Sequence, residues 1–282
     1  MLKEISLIAV VFLAFSSCIK EKSLDRTGGD NPVFIGTNCR ISQILTVDSL
    51  SSIGFKAHNI FFNAAGNATR SQIIDSLTST PYFDEGFTYK GDTIFVTGLG
   101  YFVNNSNGRV KLFKGPEDPA DPLSDTVTIN FTYTSAGALT KAEYFYSGIP
   151  VPLLRSTYTY SGNNLTKSRT DLLLPSFETV IEADLVYNTA QPVRDFIYTF
   201  PDVYELYPFL PALNFGNKPT NALTKVTTKI YDAGLLTESL VTNYKNYKFS
   251  TDGYVLELFA EGDIQDGMGI LNGRTKFKYS CR

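Results

Sequence analysis

The feature that most constrains the fold is a local pattern that recurs along the chain. Each copy has an alternating segment that ends in an aromatic residue, then a polar turn containing Gly or Asn. A second segment follows, which opens with an apolar residue and a charge. The clearest copies are residues 131–141 and 158–167, and both carry Leu-Thr-Lys after the turn. Two short strands and two turns fill such a repeat, so the pattern predicts antiparallel hairpins.

The spacing of the copies is regular. Measured between the last aromatic residues before the turns, it is 27 residues for Tyr133 to Tyr160, for Tyr160 to Tyr187 and for Phe62 to Tyr89. A constant period of this size indicates that each hairpin is one structural unit packed against the next.

Within the predicted strands, apolar and polar residues alternate. Val127, Ile129 and Phe131 share one face of their strand, while Thr128 and Asn130 share the other. One face therefore packs on a core and the other meets water. A long run of hairpins must also protect its edge strands. We predict an all-β fold for residues 39–282, an antiparallel meander of repeated hairpins curled into a closed or partly open barrel-like sheet.

The first eighteen residues have the layout of a bacterial lipoprotein signal peptide. Lys3 precedes an apolar run at 5–15 that is too short to span a bilayer, and small residues lead directly to Cys18. The alternative is an ordinary secretory signal. We predict cleavage before Cys18, lipidation of its sulfur, and a flexible tether at 19–38. The protein then reaches the membrane through its N-terminal lipid anchor.

The repeat residues at 131–141 and 158–167 resemble the tyrosine-rich YD repeats of large bacterial surface proteins. Together with the signal at 1–18, the chain resembles the uncharacterised β-meander lipoproteins of Bacteroidota. This resemblance implies a cell-envelope location as an outer-membrane lipoprotein, facing either the periplasm or the surface. It implies no catalytic residues.

Two further cysteines bracket the repeats. Cys39 lies at the start of the folded region, and Cys281 is next to the last residue. In an oxidising envelope compartment such a pair can join the first strand to the last, so we predict a disulfide. The alternative is two buried free thiols.

The residues that could support catalysis or ion binding are sparse. His58 is the only histidine, and its place in an alternating segment favours a structural hydrogen bond. Acidic loops at 117–125 and 263–266 fit solvated turns better than calcium sites. The net charge is −3 without a basic block, which argues against a nucleic-acid partner. We predict no enzyme activity, no metal site and no cofactor.

A proline-rich, aromatic insert at about 200–220 interrupts the period, because Tyr187 to Tyr231 is 44 residues. Its apolar residues must be covered either by the domain itself, as a plug, or by a partner. An exposed rim is expected near residues 204–208. The candidate binding side chains are Tyr204, Tyr207, Phe209 and Phe215.

Two functions remain open. The first is a lipid-anchored, non-catalytic binding or scaffolding protein of the cell envelope, with an envelope protein or a glycan as its partner. The alternative is a carrier of an apolar ligand, held in a β cavity with the insert at 200–215 as its lid.

Overall fold

The computed structural model describes residues 38–47, 56–75, 77–117, 124–173, 178–198, 206–263 and 270–281. The predicted signal peptide, including Cys18, and the tether up to residue 37 lie outside the described residues. Within the described part, the chain forms sixteen antiparallel strands in sequence order, and the first strand pairs with the last to close a barrel. The predicted all-β meander is confirmed. The prediction left open whether the sheet is closed or partly open, and the structure shows a closed barrel. No helix in these ranges is long and apolar enough to cross a membrane.

The strands vary from short to long and are named here in chain order. They are β1 (Cys39–Val47), β2 (Lys56–Phe62), β3 (Ala68–Asp75), β4 (Pro81–Lys90), β5 (Thr93–Val96), β6 (Gly100–Asn104), β7 (Val110–Pro116), β8 (Thr126–Tyr133), β9 (Leu139–Tyr146), β10 (Leu154–Ser161), β11 (Asn164–Leu172), β12 (Glu178–Pro192), β13 (Asn221–Asp232), β14 (Leu235–Phe249), β15 (Val255–Gly262) and β16 (Gly273–Cys281).

The alternation seen in the sequence separates the inside of the barrel from the outside. In β8, Val127, Ile129 and Phe131 are buried, whereas Thr132 is exposed. Ile129 pairs with Phe113 of β7 on one side and with Tyr144 of β9 on the other, and all three are buried. The core of the protein is therefore the apolar inner face of the barrel.

The Leu-Thr-Lys part of the repeat marks a bulge in the two hairpins of its clearest copies, β8–β9 and β10–β11. The register of β8 and β9 shifts at Tyr133, and the Thr140 hydroxyl donates to the carbonyl of Thr132 over 3.0 Å. The next hairpin repeats this arrangement, with Thr166 donating to the carbonyl of Thr159 over 3.2 Å. In each copy the Leu is buried, the Thr satisfies a carbonyl beside the bulge, and the Lys remains outside.

The aromatic position of the repeat joins neighbouring hairpins. Tyr133 donates its hydroxyl to the carbonyl of Val110, at the start of β7, over 2.6 Å. Tyr247 makes the same bond to Leu223 over 2.6 Å, and Tyr279 to Val255 over 2.8 Å. Burial raises the pKa of the Tyr133 hydroxyl, so this group stays protonated and can donate. A tyrosine thus provides ring packing and a backbone partner in the same position.

The seam of the barrel lies between β1 and β16. Cys39 and Cys281 are opposite each other in the register, their Cα atoms are 4.0 Å apart, and their sulfur atoms are bonded. The backbone N–H of Cys39 also donates to the Tyr254 hydroxyl over 3.3 Å. The disulfide connects residues that are 242 positions apart in the chain.

Candidate functional site

The connection between β12 and β13 enters one end of the barrel. We refer to its described residues, 193–198 and 206–220, as the plug. Most of its large apolar side chains are buried, and Phe209 is 4% exposed. The Phe209 ring lies 5.4 Å from that of Phe83 in β4 and 5.0 Å from that of Phe102 in β6, measured between centroids. The insert therefore fills space inside the barrel.

Further contacts hold the two parts of the plug together and fix the plug to the rim of the barrel. The Tyr198 hydroxyl donates to the carbonyl of Gly216 over 3.0 Å and accepts the N–H of Phe215 over 3.0 Å. The carbonyl of Asn214 accepts the N–H of Val110 over 2.8 Å. Gly216 has a φ of 99°, and a Cβ there would collide with the carbonyl of Gly137 in the β8–β9 turn.

His58 helps to hold the tip of the plug. Its Nε2 lies 2.9 Å from the Ser71 hydroxyl, and that hydroxyl donates to the carbonyl of Pro208 over 2.7 Å. Because the single hydroxyl proton of Ser71 is used in this way, the imidazole is the donor in the first bond. Burial lowers the pKa of His58 to about 4, so the ring is neutral at pH 7. This is the structural hydrogen bond predicted for the only histidine.

We expect the stability of the protein to fall on mild acidification because of His58. Between its folded pKa of about 4 and its ordinary value of 6.5, the unfolded chain binds the proton more readily. From pH 7 to pH 5 this effect lowers the free energy of unfolding by about 2 kcal/mol. Urea unfolding at the two pH values measures it.

The control for this effect is His58→Gln, which can still donate to Ser71. Glu85 of β4 lies opposite Ser71 in the register of β3 and β4, and burial raises the pKa of its carboxyl. Its contribution to the pH dependence is present in both proteins and cancels in the comparison. An equal loss of stability in His58→Gln would show that another group is responsible.

The candidate binding side chains of the insert have different positions. Phe209 and Phe215 are buried in the core, so they are not surface contacts for a partner; this is the position that the plug interpretation predicts. Tyr207 is partly exposed, and Tyr204 lies outside the described residues. Leu206 and Pro208 are buried, so the exposed rim expected at 204–208 is wrong for these two residues.

The position of Phe209 also bears on the carrier hypothesis. That hypothesis needs the insert to cover a cavity, but at the level of Phe83 and Phe102 the insert itself occupies the interior of the barrel.

The outer surface of the plug forms one wall of a polar cleft with a volume of about 780 Å³. We name it the plug cleft. Its charged lining consists of Arg40 from β1 and of Arg194, Asp195 and Lys218 from the plug. The cleft also has buried apolar wall residues, such as Val193 and Leu213. The side-chain amides in the cleft come from Asn38, Asn163, Asn214 and Asn217.

The cleft carries an excess of positive charge. Lys218 pairs with Asp195 over 2.8 Å. Arg40 donates from Nη1 to the carbonyl of Gly66 over 2.9 Å, and the Arg194 guanidinium lies 5.2 Å from the centre of the Tyr254 ring. Within the described ranges neither arginine pairs with a carboxylate, so the cleft presents two uncompensated cations.

Two lining residues have left-handed backbone conformations. Asn38 has a φ of 57° and Asp195 a φ of 47°. Asn and Asp adopt this region more readily than other residues with a side chain, yet it is an uncommon conformation that often occurs at functional sites. A smaller depression of about 270 Å³ shares Asn38 and Arg40 with the cleft.

Three cleft residues are not among the site residues predicted from the sequence: Arg40, Arg194 and Lys218. The chain did contain one signal, because Arg194 and Lys218 stand on either side of the apolar insert. Arg40 reaches the same cleft only through closure of the barrel.

The outer wall of the barrel is rich in charge. Glu143 of β9 pairs with Lys141 over 2.9 Å and with Arg155 of β10 over 2.9 Å. Lys248 of β14 pairs with Glu257 of β15 over 2.8 Å. Among the side chains that the structure describes, no group of three or more His, Cys, Asp or Glu residues could hold a metal ion.

The fold is similar to those of two solved structures, a porin-like protein from Bacteroides uniformis ATCC 8492 and another from Bacteroides vulgatus ATCC 8482. The first has a TM-score of 0.55 and 14% identity, and the second a TM-score of 0.52 and 12% identity. Each match covers 85% of this chain and 98% of the other. At these identities the similarity concerns the fold. No family model and no curated protein matches the chain.

Proposed function

We propose that the protein is a lipid-anchored, non-catalytic binding protein of the cell envelope, which stands in water and presents the plug cleft to a ligand. The observation that carries this proposal is the polarity of the barrel, which is apolar inside and charged outside.

A barrel that spans a membrane has the opposite polarity. Its outer surface carries an apolar band for the lipid, and porins with sixteen strands enclose an aqueous channel. Here the inner residues Ile129 and Tyr144 are buried, while Lys141, Glu143 and Arg155 form ion pairs on the outer wall. A single Lys or Arg facing lipid at mid-bilayer costs about 2–4 kcal/mol. The charged wall therefore favours water as the surroundings of the barrel.

The lipid anchor is supported by the sequence around Cys18. Two or more acyl chains give stable membrane attachment, since each buried methylene contributes about 0.8 kcal/mol. A flexible tether of the length of residues 19–38 spans roughly 25 Å, which leaves the barrel clear of the lipid.

The anchor is tested with Cys18→Ala in the full-length chain. We expect the variant to lose palmitate labelling and to leave the membrane fraction on carbonate washing, while its melting temperature stays that of the wild-type domain. Labelling or carbonate-resistant attachment of the variant would contradict the lipoprotein assignment.

The absence of a pore is tested separately with the domain starting at Asn38, added to liposomes that contain a small entrapped dye. We expect no more dye release than from the same dye-loaded liposomes without protein. Dye release that increases with the amount of added protein would contradict a water-surrounded barrel.

A further inference from the structure

We propose that the plug cleft is a binding site for an acidic saccharide, that is, a sugar or short glycan that carries a carboxylate or a phosphate. This inference names the ligand class of the binding function proposed above and rests on it.

The charge of the cleft suits an anionic ligand. Arg40 and Arg194 line the cleft without a carboxylate partner in the described residues, and Lys218 shares its charge with Asp195. A guanidinium presents a planar set of donors that matches carboxylate or phosphate oxygens in pairs. The bond from Arg40 to the carbonyl of Gly66 fixes this side chain through Nη1 and leaves its other donors available.

The asparagines of the cleft keep hydrogen-bonding capacity that a sugar can use. The Asn214 oxygen accepts the N–H of Gly216 over 3.0 Å, which leaves its amide donors available. Asn217 donates to the carbonyl of Ala136 and to the Asn163 oxygen, which leaves its own oxygen available. Sugar hydroxyls both donate and accept, so a wall that offers both amide donors and amide oxygens suits them.

These groups are also held in place before a ligand arrives. Tyr198 is buried and holds the backbone next to Asn214 through Phe215 and Gly216. The bonds of Asn217 connect the plug to the turns at 136 and 163. Arg194 is held over the ring of Tyr254. A fixed site loses less conformational entropy on binding.

The volume of the cleft and the net charge of the chain favour a small ligand over a highly charged polymer. A volume of about 780 Å³ is in the range of small-molecule sites. The chain as a whole has a net charge of −3, which opposes the long-range attraction that a nucleic acid requires.

The test uses isothermal titration of the Cys18→Ala protein with three soluble probes: trigalacturonate, the neutral trigalactoside and glucose 6-phosphate. We expect saturable binding of at least one acidic probe and none of the neutral one. Arg40→Gln and Arg194→Gln should each weaken that binding by about tenfold, because each removes a charge-assisted bond. Lys225→Gln, which removes an exposed charge from the wall of β13, is the matched control and should bind like the parent.

The two acidic probes distinguish a carboxylate from a phosphate as the anion. Inorganic phosphate alone and phosphatidylglycerol vesicles complete the series. Binding to the vesicles without binding to either acidic sugar overturns the proposal in favour of a lipid headgroup. Equal binding of the neutral sugar, no binding of any sugar at roughly 10 mM, or unchanged affinity in both arginine variants also overturns it.

Because the arginines are exposed, their variants should melt like the parent, which separates lost binding from lost folding. The liposome and palmitate measurements do not depend on the sugar, so the ligand class can fail while the proposed function stands.

Discussion

Phe209→Ala is expected to lower the free energy of unfolding by roughly 3–5 kcal/mol. The side chain is 4% exposed, and its ring packs edge-on against Phe83, Phe87 and Phe102. Removal of the ring leaves a cavity between the plug and two strands, in addition to the lost burial of apolar surface. Urea unfolding followed by tyrosine fluorescence measures the change.

The matched control is Phe95→Ala on the outer side of β5, where the ring is 43% exposed. It should change stability by less than about 1 kcal/mol. If Phe209→Ala unfolded at the same urea concentration as the wild type, the plug would not be part of the cooperative core. Its aromatic residues would then have to be explained by a partner.

Cys39→Ala combined with Cys281→Ala is expected to lower the free energy of unfolding by up to about 5 kcal/mol. The bond closes a loop of 242 residues, and in the chain-entropy model a long loop gives a large restriction of the unfolded chain. The barrel should remain closed, because the pairing of β1 with β16 extends from Cys39 to Val47. Thermal unfolding of the double variant, with the oxidised and reduced wild type beside it, measures the loss.

Reduced wild type and double variant should melt together, since both lack the same bond. A double variant as stable as the oxidised protein would show that the disulfide adds nothing to the seam. An opened barrel, detected as rapid amide exchange along β1, would show that strand pairing alone does not hold it.

The fold could be predicted because its signals are local. Alternation at 127–133 and the turn after it determine a hairpin from neighbouring residues alone. The path of the insert is different, since Phe209 meets Phe83 and Phe102 from more than 100 positions away. The sequence shows that these rings must be covered, but not by which strands.

The cleft was missed for a similar reason. Arg40 and Arg194 belong to elements that are brought together by barrel closure and by the inward fold of the plug. The role of the repeated tyrosines could not be predicted from the sequence either. The carbonyls of Val110 and Leu223 are ordinary backbone groups, and only the three-dimensional structure shows that they need a donor.

The seam has a consequence for the order of assembly. In the described part of the chain, every strand pairing except that of β1 with β16 joins neighbours in sequence, so the hairpins can form one after another along the chain. Closure alone requires both ends. A chain that is stopped before β16 keeps two open sheet edges and a Cys39 without its partner. Both sheet edges are therefore covered only when the last strand is present, and until then the open edges favour aggregation.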